Sequence, residues 1–243
     1  MRLPEGETTP MNLGSLTPAP VRTPGRPGYG NSPVIIEARA GTALLPQVLG
    51  IASLGFLASA LGVYFAPALS GSGVLWICVI ASFALIFAVR LTRATPVLSF
   101  TLFLALAVVL GFEISPWIRL LTHTGHSGAI FNAAVTTGVG MGVLGIGAQF
   151  AHFNYRRIGG IAAGALLALI IAGILSAFFH FIQPTVYSWL TLIIFSVLVV
   201  VDFMRIRAGG DGQTPVELAL SIYLDGLNIF LALTRVFGGG RRD

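Results

Sequence analysis

Residues 216–236 read Val-Glu-Leu-Ala-Leu-Ser-Ile-Tyr-Leu-Asp-Gly-Leu-Asn-Ile-Phe-Leu-Ala-Leu-Thr-Arg-Val, the last long apolar stretch of the chain. The stretch is long enough to span a bilayer, yet it carries Asp225 near its middle. A carboxylate at that depth is costly unless it faces protein or water and has partners there. Steps of three and four residues join it to a stripe that also contains Glu217, Ser221 and Asn228. We therefore interpret this helix as the polar axis of a membrane bundle.

The composition is that of an integral membrane protein. Of 243 residues, 55% are hydrophobic and 9% are charged, whereas ordinary soluble domains carry about 25% charged residues. The net charge is +5, and all 14 basic residues are Arg, so a retinal Schiff base and covalent catalysis by a Lys amine are both excluded. Cys78 is the only cysteine, which excludes an internal disulfide and a thiolate metal cluster. The arginines are spread over tails and loop ends, a distribution that does not indicate nucleic-acid binding.

Seven apolar segments, each near the ~20 residues that cross a bilayer, predict an all-α membrane protein with seven transmembrane helices. We expect these segments at about 45–69, 74–92, 96–117, 128–151, 158–181, 184–204 and 214–237. Residues 1–43, rich in Pro, Gly and Thr, are predicted to be a disordered cytoplasmic tail. The transmembrane domain then covers residues 44–239, and 240–243 form a short C-terminal tail. In the fourth segment, Gly138 and Gly142 form a small-xxx-small pair that permits close helix packing.

The placement of arginines predicts the orientation of the bundle. The connections after the second, fourth and sixth segments, with the segment ends, hold Arg90, Arg93, Arg156, Arg157, Arg205 and Arg207. The connections after the first, third and fifth segments hold only Arg119, so we expect a cytoplasmic N-terminus and an external C-terminus. Three arginines near the C-terminus disagree: Arg235, Arg241 and Arg242. A re-entrant seventh segment, the alternative topology, would return them to the cytoplasm. The exclusive use of Arg and the richness in Ala and Gly indicate a bacterial protein, which we expect in the cell (inner) membrane.

Two carboxylates on successive helices form the candidate chemical site. Asp202 lies near the cytoplasmic end of the sixth segment, and the segment that carries Asp225 starts on that side. Arg90 ends the second segment there. Two close carboxylates cannot both ionise cheaply, whereas a nearby Arg favours their charged forms. Such a cluster can bind a hard divalent cation, with Ser221 and Asn228 as auxiliary oxygen ligands, or hold the inner end of a pore shut until protonation changes. A structural ion pair that fixes helix packing accounts for the same residues, and the pattern leaves these alternatives open.

The closing sequence resembles a known family. Residues 218–230 read Leu-Ala-Leu-Ser-Ile-Tyr-Leu-Asp-Gly-Leu-Asn-Ile-Phe, and 233–235 read Leu-Thr-Arg. They are similar to the signature of the Bax inhibitor-1 (TMBIM) family, Ala-Leu-Ser-Leu-Tyr-Leu-Asp-Phe-Ile-Asn-Leu-Phe followed by Leu-Leu-Arg. Residues 201–206, Val-Asp-Phe-Met-Arg-Ile, are similar to the family's Tyr-Asp-x-x-x-Ile phrase, and Arg90 matches its basic residue at the end of the second span. The resemblance covers roughly residues 44–239.

The resemblance implies a seven-helix fold with the last helix central, and a function similar to the pH-sensitive calcium leak of bacterial members. In that scheme Asp202 and Asp225 are the pH sensor and the candidate calcium site, and Arg90 is the latch of the closed state. Calcium would be the transported or bound ion, and no tightly bound cofactor is expected. The chain departs from the family at Gly226, where the family has Phe. Arg205, three residues after Asp202, can share its helix face and compete with Arg90 as the latch.

Three classes of function remain open on the sequence alone. The first is a cation leak gated by protonation, and the second is a regulatory membrane protein whose charges hold the fold. The third, a seven-helix zinc hydrolase, rests on four outer-side residues: Glu113, His123, His126 and His180. Their spacing matches no metal motif, so we expect no enzymatic activity. The expected partners are the lipid bilayer, calcium ions and protons, with no nucleic acid, and the sequence identifies no protein partner.

Overall fold

The chain folds into a helical bundle in its computed structural model, which describes residues 33–66, 72–180 and 182–239. In these ranges the α-helices are α1 Pro33–Phe65, α2 Ser72–Leu91, α3 Pro96–His123, α4 Ser127–Phe150, α5 Tyr155–Phe179, α6 Pro184–Arg207 and α7 Pro215–Gly238. A 3₁₀ turn, Gly210–Gly212, lies between α6 and α7. Each of these seven helices is long and apolar enough to cross a membrane, which confirms the predicted fold class for the described part of the chain.

Two helices, α1 and α3, extend furthest beyond their predicted bounds. α1 begins at Pro33, so residues 33–43 are helical where a disordered tail was predicted, and Leu44–Phe65 is its membrane-spanning part. α3 continues past the predicted end at residue 117, with Pro116 inside the helix. A proline within a helix removes one backbone hydrogen bond but does not always end the helix. The predicted tails at 1–32 and 240–243 lie outside the described residues.

α7 is the buried axis of the bundle. In its most apolar window, 67% of the residues are buried inside the protein, against 11–39% for the other helices that could span a membrane. It packs against α1, α2, α3, α4 and α6, whereas α5 packs mainly against α6 at the periphery. α7 is one continuous helix from Pro215 to Gly238, so the re-entrant alternative for the seventh segment finds no support.

The start of α7 is fixed by the local sequence Thr-Pro-Val-Glu. The backbone N–H of Glu217 donates to the Thr214 hydroxyl at 3.2 Å, and the Thr214 N–H donates to the Glu217 carboxylate at 2.8 Å. This reciprocal capping satisfies two backbone donors that the first turn of a helix leaves free, and Pro215 occupies the first helical position, where no N–H is needed. Glu217 therefore caps the helix, although its spacing placed it in the polar stripe.

Tyr223 anchors α7 to α1 and α3. Its side chain is fully buried, and its hydroxyl lies 2.6 Å from the Ser59 hydroxyl of α1. The ring packs edge-on against Phe103 of α3, with 5.5 Å between ring centroids, and lies 5.1 Å from the ring of Phe56. A hydrogen bond that satisfies the buried phenol and two aromatic contacts thus hold the middle of α7 in one register.

The close helix packing that the Gly138 and Gly142 pair permits is not formed at these two glycines. A Cβ added at either glycine would meet no atom within 4 Å. The close approach lies instead between α1 and α3, where a Cβ at Gly62 would come within 2.3 Å of the Val108 carbonyl oxygen. A Cβ at Gly111 would likewise come within 2.3 Å of a backbone oxygen of α1. Which glycines meet another helix depends on tertiary neighbours, which a small-xxx-small spacing does not identify.

Candidate functional site

The sequence-predicted site residues line a single cavity between α2, α5, α6 and α7. We call it the polar cavity; its volume is about 630 Å³. The predicted residues on its wall are Arg90, Asp202, Arg205, Ser221, Asp225 and Asn228. Two carboxylates, two guanidinium groups and two neutral polar side chains therefore converge on one space, although they come from three helices.

Asp202 forms an ion pair with an arginine on its own helix. Its carboxylate is 5% exposed and accepts a hydrogen bond from the Arg205 guanidinium at 2.5 Å. The two residues are three apart on α6, the spacing at which helical side chains meet. Charge-assisted hydrogen bonds of this kind are among the stronger ones in proteins. Asp202 and Arg205 therefore form a local ion pair on the wall of the polar cavity.

Asp225 is buried without such a partner. It is 6% exposed, and its Oδ2 atom has no hydrogen-bond partner within the described protein. Asn228, one turn further along α7, donates from its amide nitrogen to the Leu224 carbonyl at 2.8 Å, which leaves its amide oxygen free to accept. A buried carboxylate oxygen without a donor is energetically costly and requires water, a proton or a cation in the cavity.

Arg90 lies at the mouth of the same cavity. It is exposed in the last turn of α2 and forms no ion pair with either aspartate. In the described structure the cation paired with Asp202 is Arg205, and Arg90 is a second cation on the same wall. The latch role of Arg90, which the resemblance implies, stays a prediction.

Gly226 departs from the family signature because its surroundings are filled from other helices. A Cβ at this position would come within 2.7 Å of both the Met141 sulfur and the tip of the Phe56 ring. Those two side chains occupy the space that the Phe of the family signature would need. The departure is therefore a packing substitution on the face of α7 away from the polar cavity.

Asp211 connects this site to the loops, and no sequence pattern predicted its role. It lies in the α6–α7 connection with φ of 52°, and it accepts hydrogen bonds from the Arg156 guanidinium at 2.6 Å and the Tyr155 hydroxyl at 2.9 Å. The Nε of Arg205 lies 3.9 Å from its other oxygen. Arg156 therefore holds the pKa of Asp211 below its usual range. The one available sequence signal was a single acidic residue in a Gly-Gly-Asp-Gly turn.

Arg207 ties α6 to the end of α4. Its guanidinium donates to the carbonyl oxygens of Ala148, Gln149 and Ala151 at 2.8, 2.5 and 2.8 Å. These carbonyls belong to the last turn of α4 and the residue after it, where backbone acceptors lack helical partners. Arg207 therefore acts as a side-chain cap and, together with Asp211, fixes the loops around the mouth of the polar cavity.

The four residues of the zinc alternative are dispersed. Glu113 is half-buried inside α3, and the three histidines lie at or beyond the ends of α3 and α5: His123, His126 and His180. Among the described residues, no group of three or more His, Cys, Asp or Glu side chains is placed to hold a metal ion. The geometry gives the zinc hydrolase no support.

Comparison with known proteins agrees with the fold and the closing signature. The family described as "Inhibitor of apoptosis-promoting Bax1" matches residues 41–242, well over half of the chain. An uncharacterized protein of Helicobacter pylori is 23% identical over 164 residues, which are 67% of this chain and 71% of that protein. The uncharacterized protein YrjE of Lactococcus lactis is 34% identical over 152 residues, 58% of this chain and 63% of that protein. An uncharacterized membrane protein of Streptococcus pyogenes is 28% identical over 145 residues, 56% of this chain and 62% of that protein. The chain is thus a multi-pass membrane protein that belongs to the Bax inhibitor-1 family.

Proposed function

We propose that the protein is a pH-sensitive cation leak whose path includes the polar cavity and whose cargo is calcium. The observation that carries this proposal is Asp225, a buried carboxylate with an unpartnered oxygen on the wall of a cavity of about 630 Å³. Ionisable residues inside a membrane bundle typically mark ion or proton pathways. A second carboxylate, Asp202, lines the same cavity and supplies the charge that a divalent cation requires.

The donor set suits a calcium ion that binds weakly and leaves. Calcium prefers oxygen ligands and takes six to eight of them in tight protein sites. The polar cavity offers the carboxylates of Asp202 and Asp225, with neutral oxygens from Ser221 and Asn228. This set is smaller than a tight calcium site and leaves water to complete the coordination. Conduction needs such weak binding, because an ion must leave each site as readily as it enters.

Protonation of Asp202 and Asp225 is the proposed gate. While Asp202 is ionised, it holds Arg205 at 2.5 Å, so a guanidinium occupies the wall of the path. A proton bound by the pair of carboxylates removes that attraction and frees Arg205 to move away, while the carboxylate that stays ionised supplies the charge that calcium requires. Arg90, at the mouth of the cavity, is the second cation that an ionised Asp202 or Asp225 can attract, and it remains a candidate latch. Calcium flux should therefore rise as the pH falls.

Flux measurements in liposomes test the proposal. The purified protein, reconstituted around a calcium-sensitive dye, should admit calcium faster at pH 6 than at pH 8. Asp202→Asn and Asp225→Asn should each flatten this pH response, because an amide cannot gain or lose the proton. Glu113→Gln is the matched control, since this intramembrane carboxylate does not line the polar cavity and its removal should leave the pH response intact.

Two results would sink the proposal. If liposomes that contain the unmodified protein take up calcium no faster than empty liposomes at any pH, the protein is not a leak. The regulatory alternative, in which the charges only hold the fold, would then be favoured. If the flux is present but both Asn variants keep its full pH response, the two aspartates are not the sensor.

We also propose that the protein lies in a bacterial cell (inner) membrane with its N-terminus in the cytoplasm. The arginine distribution among the connections and the bacterial origin of the named relatives support this assignment. Reporter enzymes fused at Gly125 and at Gly209 should report opposite sides of the membrane, with the Gly209 fusion cytoplasmic. The reverse result would contradict the orientation.

A further inference from the structure

A second cavity lies at the end of the bundle where α7 ends. We call it the end cavity; it has a volume of about 750 Å³ and lies between α5, α6 and the last turn of α7. Ile170, Tyr187 and Arg235 line both the end cavity and the polar cavity, so the two spaces meet at these side chains. The end cavity contains none of the residues assigned to the proposed calcium path.

Arg235 brings an unmatched positive charge into the end cavity. No hydrogen bond or ion pair joins its guanidinium to another residue in the described ranges. The lining of the end cavity includes His180 but no Asp or Glu. Arg235 is exposed and lines the end cavity without a counter-charge, so its guanidinium is best matched by an anion that enters from outside the chain.

The depth of Arg235 identifies the source of that anion. The residue lies 20 positions after the start of α7 at Pro215, which is about 30 Å along the helix axis and close to the hydrocarbon thickness of a bilayer. The guanidinium therefore reaches the level of lipid headgroups. Two exposed apolar side chains of α5, Ile170 and Ile174, line the same cavity below that level. The cavity thus combines a positive rim with an apolar wall, the arrangement that fits a phospholipid.

We propose that the end cavity binds an anionic phospholipid. The Arg235 guanidinium pairs with the lipid phosphate, His180 stands beside it at the rim, and an acyl chain lies along Ile170 and Ile174. A guanidinium can donate two parallel hydrogen bonds to a phosphate, which fixes the headgroup in position. The two cavities share part of their walls, but lipid binding at Arg235 does not require that the polar cavity conducts ions.

A simpler role for Arg235 has to be separated from lipid binding. A cation in the last turn of a helix interacts favourably with the helix dipole, and a long basic side chain at a membrane edge extends towards water. Both effects depend on the charge alone and are indifferent to the chemistry of the surrounding lipid. A lipid site instead predicts discrimination between anionic and zwitterionic headgroups, together with sensitivity to the shape of the apolar wall.

Lipid binding to the full-length protein in detergent tests the proposal. Dioleoylphosphatidylglycerol and dioleoylphosphatidylcholine are titrated separately, and bound lipid is counted by native mass spectrometry. We expect the unmodified protein to prefer the anionic lipid by about tenfold or more, the ratio expected for one charge-assisted interaction. Arg235→Gln should abolish this preference. Arg93→Gln, which removes an exposed arginine outside both cavities, should leave it unchanged.

Two further arms distinguish a lipid from a free anion. Ile174→Trp fills the apolar wall but keeps Arg235, so it should weaken binding of the lipid. Millimolar inorganic phosphate should not displace the lipid from the unmodified protein. Equal binding of the two lipids to the unmodified protein overturns the proposal, as does an anionic preference that Arg235→Gln retains. Displacement by inorganic phosphate together with normal lipid binding by Ile174→Trp would show a free-anion site and also overturn it.

Discussion

Asp202 and Asp225 share a cavity, but they differ in how their charges are met. Asp202 is paired with Arg205 on its own helix, whereas Asp225 has one oxygen without any hydrogen-bond partner in the described protein. Span order and arginine placement were compatible with this cluster, and the resemblance to the Bax inhibitor-1 signature is what singled out Asp202, Asp225 and Arg90. The i, i+3 spacing also predicted that Arg205 could share a face with Asp202. The lack of a hydrogen-bond partner for Asp225 Oδ2 could not be predicted, since it depends on which donors of neighbouring helices reach this atom.

At the scale of single residues, we predict that Arg205 contributes more than Arg90 to holding the closed state. Arg205→Gln removes the guanidinium that Asp202 holds, so we expect calcium flux at pH 8 to rise towards its value at pH 6. Arg90→Gln should have a smaller effect, because Arg90 forms no ion pair with either aspartate. Flux from dye-loaded liposomes at the two pH values measures both. A larger rise at pH 8 for Arg90→Gln than for Arg205→Gln would transfer the latch to Arg90.

Asp211 shows why part of the site escaped prediction. Its partners Tyr155 and Arg156 lie more than fifty residues earlier in the chain, so only the folded topology brings the start of α5 and the α6–α7 connection together. Its left-handed backbone conformation in a turn rich in glycine is equally a product of the loop geometry. By contrast, the carboxylates inside the spans were conspicuous because charges are rare there.

The stabilisation that Asp211 gives to the α6–α7 connection should depend on pH. Its pKa is lowered mainly by the hydrogen bond from Arg156, so the ionised carboxylate stabilises the fold above the pKa of an unfolded Asp, about 3.9. That stabilisation is lost as the pH falls through the lower pKa of the folded state. Asp211→Asn should therefore have a slightly lower Tm than the unmodified protein at pH 7, and the difference should shrink below about pH 4.

Matched arginine variants control this prediction. Arg156→Gln should reproduce the Tm decrease at pH 7, because it removes the hydrogen bond from the other side. Arg157→Gln removes the neighbouring charge, which forms no hydrogen bond or ion pair with Asp211 in the described structure, and should leave the Tm unchanged. Thermal unfolding in detergent, followed by circular dichroism, gives all of these values. A Tm difference between Asp211→Asn and the unmodified protein that is the same at pH 7 and pH 3 would rule out the proposed ion pair as its cause.

The packing of α1 against α3 should be especially sensitive to an added methyl group, because the two backbones approach closely there. At Gly62 an added Cβ would meet the Val108 carbonyl, which belongs to the backbone and cannot move aside cheaply. Overpacking of this kind typically costs 1–3 kcal/mol, and the better helix propensity of Ala offsets about 1 kcal/mol. Gly62→Ala should therefore lower the free energy of unfolding by up to about 2 kcal/mol.

Gly142→Ala is the control for that prediction. It sits in open space on α4, so only the gain in helix propensity applies, and it should be neutral or slightly stabilising. Unfolding titrations in mixed micelles compare the two variants with the unmodified protein. Equal effects of Gly62→Ala and Gly142→Ala would mean that α1 and α3 do not approach as closely as the structure indicates.

At the scale of the whole molecule, the seven membrane-spanning helices of the described residues and the central position of α7 agree with the prediction. Length and hydropathy reveal which segments cross a bilayer, and a helix with a polar stripe must face protein, so α7 was expected to be buried. Large apolar side chains cover the periphery, such as Leu57 on α1, Ile77 on α2 and Phe131 on α4, as contact with lipid requires. The helical extension of α1 to Pro33 was missed because a Pro- and Gly-rich neighbourhood argued for a tail.

The central claim, that the polar cavity is part of the ion path, can be tested with one introduced cysteine. Cys78 is the only cysteine of the chain, so Cys78→Ala provides a thiol-free background. In that background Asn228→Cys puts a thiol on the cavity wall, and Thr124→Cys puts one on an exposed connection outside it. A positively charged methanethiosulfonate reagent should lower calcium flux through the Asn228→Cys protein to the level of empty liposomes and leave Thr124→Cys unaffected. Undiminished flux through Asn228→Cys protein that mass spectrometry shows to be fully modified would contradict the claim.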